Sequence, residues 1–193
     1  MGKISYNVVE GEEIELCREL CNDLMAYQKA QAKLWPERFD GMNFDTRMKK
    51  SFLNTPDSQT IVAFDNGIPI GYIFSTIENI SHGDKSAVPD WAPPKVSDDY
   101  QGFYPDWDEL PARCGCLNNL YIKPEYQHQG IGVELFKRSM EWMASFSDVD
   151  TVFVYISNGN DNALNFYLRH GFIFSHNVFG GFIKAAYYKF DKL

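Results

Sequence analysis

The chain has 193 residues, of which 45% are hydrophobic and 23% charged, which suits one domain or one domain with a sizeable insertion. Its formal charge of −8 excludes the basic surface that a nucleic-acid partner demands. No apolar stretch approaches the ~20 residues that cross a bilayer, so no membrane role is expected.

In chain order, Lys3 to Val9 reads as a first strand. Glu12 to Lys33 follows as an amphipathic helix, with Ile14, Cys17, Leu20, Cys21, Leu24 and Tyr27 at three- and four-residue steps. Glu12 and Glu13 favour its first turn through the helix dipole, and Pro36 stops it. A short second helix is expected over Asp45 to Leu53, broken by Asn54-Thr55-Pro56-Asp57. Thr60 to Phe64 and Ile68 to Ile77 are strand-like, joined through Asp65-Asn66-Gly67, the strongest short hairpin signal in the chain.

Periodicity is lost from Ile80 to Ala112. This stretch holds five prolines, five large aromatics (Trp91, Tyr100, Phe103, Tyr104, Trp107) and a net charge of −5. A loop this long within a domain is usually functional or mobile. Order returns with a strand at Cys114 to Ile122, a loop at Lys123 to Gln129 and a helix at Gly130 to Phe146. A buried strand at Thr151 to Ile156, a short helix at Asn160 to His170 and two closing strands near Phe172 to Asn177 and Phe182 to Phe190 complete the chain. Alternating strands and helices imply an α/β layered fold with some parallel pairing.

The four cysteines, Cys17, Cys21, Cys114 and Cys116, lack the spacing of a zinc finger or ribbon, so buried free thiols and no metal are expected. Met1 to Glu10 does not resemble a signal peptide, and a cytoplasmic location is the expectation.

The segment Leu120-Tyr121-Ile122-Lys123-Pro124-Glu125-Tyr126-Gln127-His128-Gln129-Gly130-Ile131-Gly132 carries the chemistry. It is a strand, a loop and a glycine-led helix start. Helix N-termini present unpaired N–H groups that suit a phosphate, and Gly130 and Gly132 let a ligand approach the backbone. Helix capping alone also explains two glycines at this place. A Rossmann fingerprint would need a third glycine where Leu135 stands, and a P-loop would need Gly-Lys-Ser/Thr. No G-x-S-x-G is present.

The segment resembles the Q/R-x-x-G-x-G/A signature of the GNAT superfamily of N-acetyltransferases, with Gln127, Gly130 and Gly132 in place. A second block, Asn160-x-x-Ala163 and Tyr167-x-x-x-Gly171-Phe172, is similar to that family's next motif at the expected distance. The resemblance implies a mixed, partly parallel central sheet flanked by helices, with two strands splayed at a cofactor cleft. It implies acetyl-coenzyme A as co-substrate, held by the backbone at Leu120, Tyr121 and Ile122, by Gln127, His128, Gln129, Gly130, Ile131 and Gly132, and by Asn160 and Tyr167. It further implies direct transfer of acetyl to a primary amine in a ternary complex, with Tyr167 as general acid. Residue by residue, a plain N-cap at Asn160 and a core role for Tyr167 remain alternatives.

Many members of that family place a glutamate on the strand before the cofactor loop. Here Asn118 and Asn119 stand instead, so the base is expected to be water-mediated or to come from another segment, with Asp108 and Glu109 as candidates. The absent carboxylate leaves a non-catalytic acyl-CoA-binding or regulatory module as the competing class. The acidic, aromatic insertion suggests a cationic acceptor, a small molecule or a peptide amine, bound by Asp106, Asp108 and Glu109. Its alternative is a surface flap, or one that packs on a second subunit in a homodimer.

Overall fold

The computed structural model describes residues 3–81, 83–84, 87–89, 92 and 102–191. Seven strands form one mixed sheet in the order β1-β2-β3-β4-β5-β7-β6. They are β1 (Ile4–Val9), β2 (Ser58–Asp65), β3 (Ile68–Asn79), β4 (Arg113–Ile122), β5 (Thr151–Ser157), β6 (Ile173–Val178) and β7 (Ile183–Lys189). All neighbours are antiparallel except β4 and β5, which run parallel. The β2–β3 hairpin turns on Asn66 and Gly67, both at positive φ, the backbone that a tight primed turn demands.

Helices cover both faces. On one lie α3 (Ile131–Ala144) and α4 (Asp161–Arg169), whose Ile131, Leu135, Phe136, Met143 and Tyr167 pack on Ile73, Leu117, Val152, Val154 and Ile156. On the other, Leu20 and Cys21 of α1 (Arg18–Gln31), together with Phe44 and Met48, bury Val62, Tyr72 and Phe74. Truncating a fully buried side chain such as Leu135 to alanine is worth about 2–5 kcal/mol here, because the residual cavity cannot fully collapse. A third, smaller cluster of Phe39, Val178, Phe179, Phe182 and Ala185 closes the end of the sheet where the β6–β7 turn meets the chain after α1.

Two predicted helices differ in detail. The first begins as a 3₁₀ segment from Gly11 to Cys17 and is α-helical only from Arg18 to Gln31. It stops short of Lys33 because the buried Asn158 side chain takes the N–H groups of Lys33 and Leu34, at 2.6 and 2.7 Å. The second opens with a π turn, Phe44–Lys49, capped reciprocally by Asn43 and Thr46, before α2 (Lys50–Asn54). Such wide turns are rare and occur most often beside functional sites.

The described part of the insertion is anchored, not loose. Phe103 meets the edge of Tyr155, Tyr104 meets Phe153, and Trp107 meets Tyr187. Trp107 also carries the Lys189 ammonium over its face at 4.2 Å. His176 donates from Nε2 to the Gly102 carbonyl at 2.9 Å, which fixes the tautomer. These rings act as packing against β5 and β7. Trp91, Tyr100, Asp90, Asp98 and Asp99 lie outside the described residues. All four cysteines are buried free thiols.

Candidate active site

The parallel pair β4–β5 keeps its ladder only from Gly115 to Leu117, against Val152 to Val154. Beyond that the strands diverge, so Asn118 to Ile122 and Tyr155 to Ser157 face each other across a gap. A β-bulge contributes: β3 pairs Phe74 with Asn119 and Ser75 with Leu117, which leaves Asn118 as the extra residue on β4. The unpaired backbone beyond the divergence is available to a ligand lying between the strands.

At the far end of β4 the loop turns through Pro124–Tyr126 into α3. Gln127 folds back and donates from Nε2 to the Ile122 carbonyl at 3.0 Å, and Gln129 does the same to Glu125. Both side chains therefore shape the loop, leaving ligand contact to the backbone. Exposed His128 and Gly130 both adopt positive φ. The first N–H groups of α3 have no carbonyl one turn back. A Cβ at Gly130 would meet nothing within 4 Å, and one at Gly132 only Ile122 Cγ1 at 3.7 Å. The space over this helix start is open, and its donors fit a pyrophosphate.

Asn160 caps α4, its Oδ1 accepting from Ala163 N at 3.2 Å. Tyr167, one turn further along, is buried among Phe136, Phe166 and Phe172. Burial raises its phenol well above the ordinary value, and the nearby Cys116 thiol adds to the rise. Such a phenol holds its proton at neutral pH and is equipped to donate it. Cys116 sits on the floor of a cleft on the opposite sheet face, and its thiol is near enough to the Tyr167 phenol to add to that rise.

The cleft has a volume of about 920 Å³. Its floor is Cys116, Leu117 and Asn118 of β4 with Tyr155 and Ser157 of β5. The π turn and α2 form one wall, and Phe103, Tyr104 and Phe182 another. The Tyr155 hydroxyl and Ser157 Oγ are buried here with no hydrogen-bond partner among the described residues, an uncompensated cost that a polar ligand would relieve.

A polar chain crosses the floor. The Cys116 thiol points at Asn118 Oδ1, Asn118 Nδ2 donates to Thr76 Oγ1 at 2.8 Å, and Thr76 donates to Glu78 Oε1 at 2.8 Å. Glu78 lies on β3, opposite Cys114, and supplies the carboxylate that β4 lacks. Its field, after burial, helps to raise the thiols of Cys114 and Cys116 and the phenol of Tyr155. Those cysteines are accordingly protonated and poor nucleophiles. Sequence reasoning missed Glu78 because it looked for a carboxylate on the strand before the cofactor loop and in the insertion, at Asp108 and Glu109. The antiparallel partner of that strand was the available signal.

Asn158 was missed as well. Buried at the mouth of the gap, it donates from Nδ2 to the carbonyls of Leu34 and Phe182 in addition to its two acceptor bonds. It thereby ties the end of α1 to the β6–β7 turn across the end of β5. Asp106, Asp108 and Glu109 are exposed, and none is among the residues lining the cleft. Among the described residues, the charges that do line it are Arg38, Arg47, Lys50, Glu78 and Asp84. Among the described residues no cluster of His, Cys, Asp or Glu is arranged to hold a metal, and no helix is long and apolar enough to cross a membrane.

A mixed sheet with one splayed parallel pair, an open helix start beyond it and a buried phenol beside it defines an acyltransferase fold. The acetyltransferase (GNAT) family model matches residues 21–172, and the chain belongs to that family. No curated protein matches the sequence significantly. Among solved structures it is similar to the PaiA N-acetyltransferase of Thermoplasma acidophilum in complex with coenzyme A. That match has 17% identity, covers 97% of this chain and 99% of the other, and has a TM-score of 0.61. Arabidopsis thaliana Naa50 with the bisubstrate analogue CoA-Ac-MVNAL follows at 14% identity, 97% and 99% coverage and TM-score 0.59. The ribosomal-protein-S18-alanine N-acetyltransferase of Escherichia coli gives 14%, 99% and 96%, and 0.56. At these identities the likeness is one of fold.

Proposed function

We propose that the protein transfers an acetyl group from acetyl-coenzyme A to a primary amine, which enters the cleft as a cationic ammonium. The observation that carries this reading is the β4–β5 gap, with an open helix start at one end and the buried phenol of Tyr167 beside it. Acetyl-coenzyme A supplies the activated acyl group. The α3 start and the loop from Gln127 to Gly132 would hold its pyrophosphate, the freed backbone of Leu120 to Ile122 its arm, and Asn160 the same arm from α4.

Glu78, directly or through a water, takes the proton that an ammonium must lose before it can attack. Thr76 and Asn118 hold that carboxylate in place. Tyr167 gives its proton to the departing sulfur. Orientation in the gap supplies much of the rate, since no activated nucleophile is present for a covalent step. The four free thiols fit a reducing, cytoplasmic setting.

Two measurements test the reading. The melting temperature should climb with acetyl-coenzyme A, because a ligand that binds only the folded state stabilises it. Thiol release should depend on added amine. A melting temperature flat to millimolar ligand, or bound acetyl-coenzyme A with no amine-dependent thiol release, would reject transferase activity; the second result would leave only an acyl-CoA-binding module.

A further inference from the structure

The cleft is electrically divided. Arg38, Arg47 and Lys50 line it from the segment between α1 and the end of α2. Glu78 and Asp84 line it from β3 and the residues that follow. None of the three cations has an ion pair among the described residues, although acids are close in sequence. Those acids are engaged elsewhere: Asp45 with Arg18, Glu15 with Arg18 and Lys49, and Asp40 with Lys29.

Arg47 is exposed within the cleft lining. Its guanidinium acts on the thiol of Cys116 at the cleft floor, opposing the rise that burial, Glu78 and Cys114 impose. It acts likewise on Cys21 and on the buried hydroxyl of Tyr72. Three like charges on one wall repel each other, and an anion relieves that repulsion. An arginine fork suits a carboxylate or a phosphate in two-point contact. The unpartnered Tyr155 hydroxyl and Ser157 Oγ on the floor are a second, independent sign that a polar ligand belongs here.

We infer that the acceptor carries an anionic group as well as the amine. Its ammonium lies toward Glu78, and its carboxylate or phosphate lies toward Arg47, Lys50 and Arg38. This rests on the reading of the cleft as the acceptor site and deepens it. The net charge of the whole chain is no guide to that acceptor, because the acids dominate elsewhere and the cations dominate this wall. A polycation such as a polyamine would place a second positive charge against Arg47 and is disfavoured. At about 920 Å³ the cleft has room for an acceptor of dipeptide size.

The test uses one scaffold with one free α-amine: Ala-Glu amide, Ala-Gln amide, Ala-Lys amide and Ala-phosphoserine amide. Binding of each to the full chain saturated with coenzyme A is measured by calorimetry, and acetylation of each is measured separately. The glutamyl or phosphoseryl peptide should bind at least about tenfold more tightly than the glutaminyl one, and the lysyl peptide most weakly. Comparing the two anionic peptides distinguishes carboxylate from phosphate. In the double variant Arg47→Gln, Lys50→Gln that preference should vanish, with coenzyme A affinity and melting temperature unchanged.

Equal binding of the glutamyl and glutaminyl peptides, tighter binding of the lysyl peptide, or a preference that survives the double variant would overturn the inference. Charge-selective binding that depends on Arg47 and Lys50, without acetylation of any peptide, would uphold it while sinking the transfer reading.

Discussion

The two sides of the β4–β5 gap are built by opposite means. The cofactor side is local: β4, the Gln127 loop and the start of α3 are consecutive in sequence, and α4 follows one strand later. The acceptor side is assembled from distant segments. It draws on the π turn and α2, on Glu78 at the end of β3, on Phe103 and Tyr104 in the insertion and on Phe182 before β7. The first can be held by turn geometry and a helix terminus. The second depends on tertiary ties such as Asn158, three of whose four hydrogen bonds reach Lys33 and Leu34 some 125 residues away in sequence. A side built locally can keep its chemistry while a side built from loops changes what it accepts.

If that division holds, changes on each side should move different constants. The largest effect is expected at Tyr167, the proposed general acid beside the gap. Tyr167→Phe keeps the ring among Phe136, Phe166 and Phe172 but removes the proton, so kcat should fall roughly ten- to a thousandfold. Affinity for coenzyme A should stay constant. Unchanged turnover would mean that the sulfur leaves unaided.

Glu78→Gln is expected to lower kcat/KM by about ten- to a hundredfold near neutral pH, the scale of a positioned base. The pH profile sharpens the assignment. With the carboxylate lost, activity should keep rising with pH as free amine accumulates, where the wild type has levelled off. Parallel profiles in the two proteins would remove Glu78 from the reaction.

Asn158→Ala should act on the joint between the sides. It strands the N–H groups of Lys33 and Leu34 and the carbonyls of Leu34 and Phe182, at a cost of about 2–3 kcal/mol of stability. Chemical denaturation would measure it. A loss under ~0.5 kcal/mol, the range of ordinary surface changes, would mean that the two loops are held by other contacts.

Gly132→Leu fills space that the fold leaves open, so it should weaken coenzyme A binding about tenfold or more with little change in melting temperature. Equal losses of stability and affinity would show that the glycine serves packing instead. Smallest of all is the expected effect of neutralising Asp106, Asp108 and Glu109 together. Exposed and away from the cleft lining, they can reach an acceptor only through screened long-range attraction, so its KM should shift less than about twofold at physiological salt. A larger shift, strongest at low salt, would return these acids to the acceptor site.

The sequence by itself determined the parts governed by near neighbours. The 3.6 and 2.0 periods placed the helices and strands, Asn66-Gly67 placed the hairpin turn, and the two glycine- and tyrosine-bearing blocks marked the family. Each depends on residues within a turn or a strand of one another, where spacing maps directly onto geometry. The bulge at Asn118, the early end of α1 at Gln31, the π turn at Phe44 and the place of Glu78 beside the cleft were decided by the tertiary structure. Each results from a partner far along the chain or from the register of a neighbouring strand. The acceptor's charge belongs to that second group. Composition marks the insertion as the acidic region, yet packing turns Phe103, Tyr104 and Trp107 onto β5 and β7 and leaves Asp106, Asp108 and Glu109 facing solvent. The groups that line the cleft are Arg47, Lys50 and Glu78 because strand pairing and the π turn set their positions, and no local spacing records that.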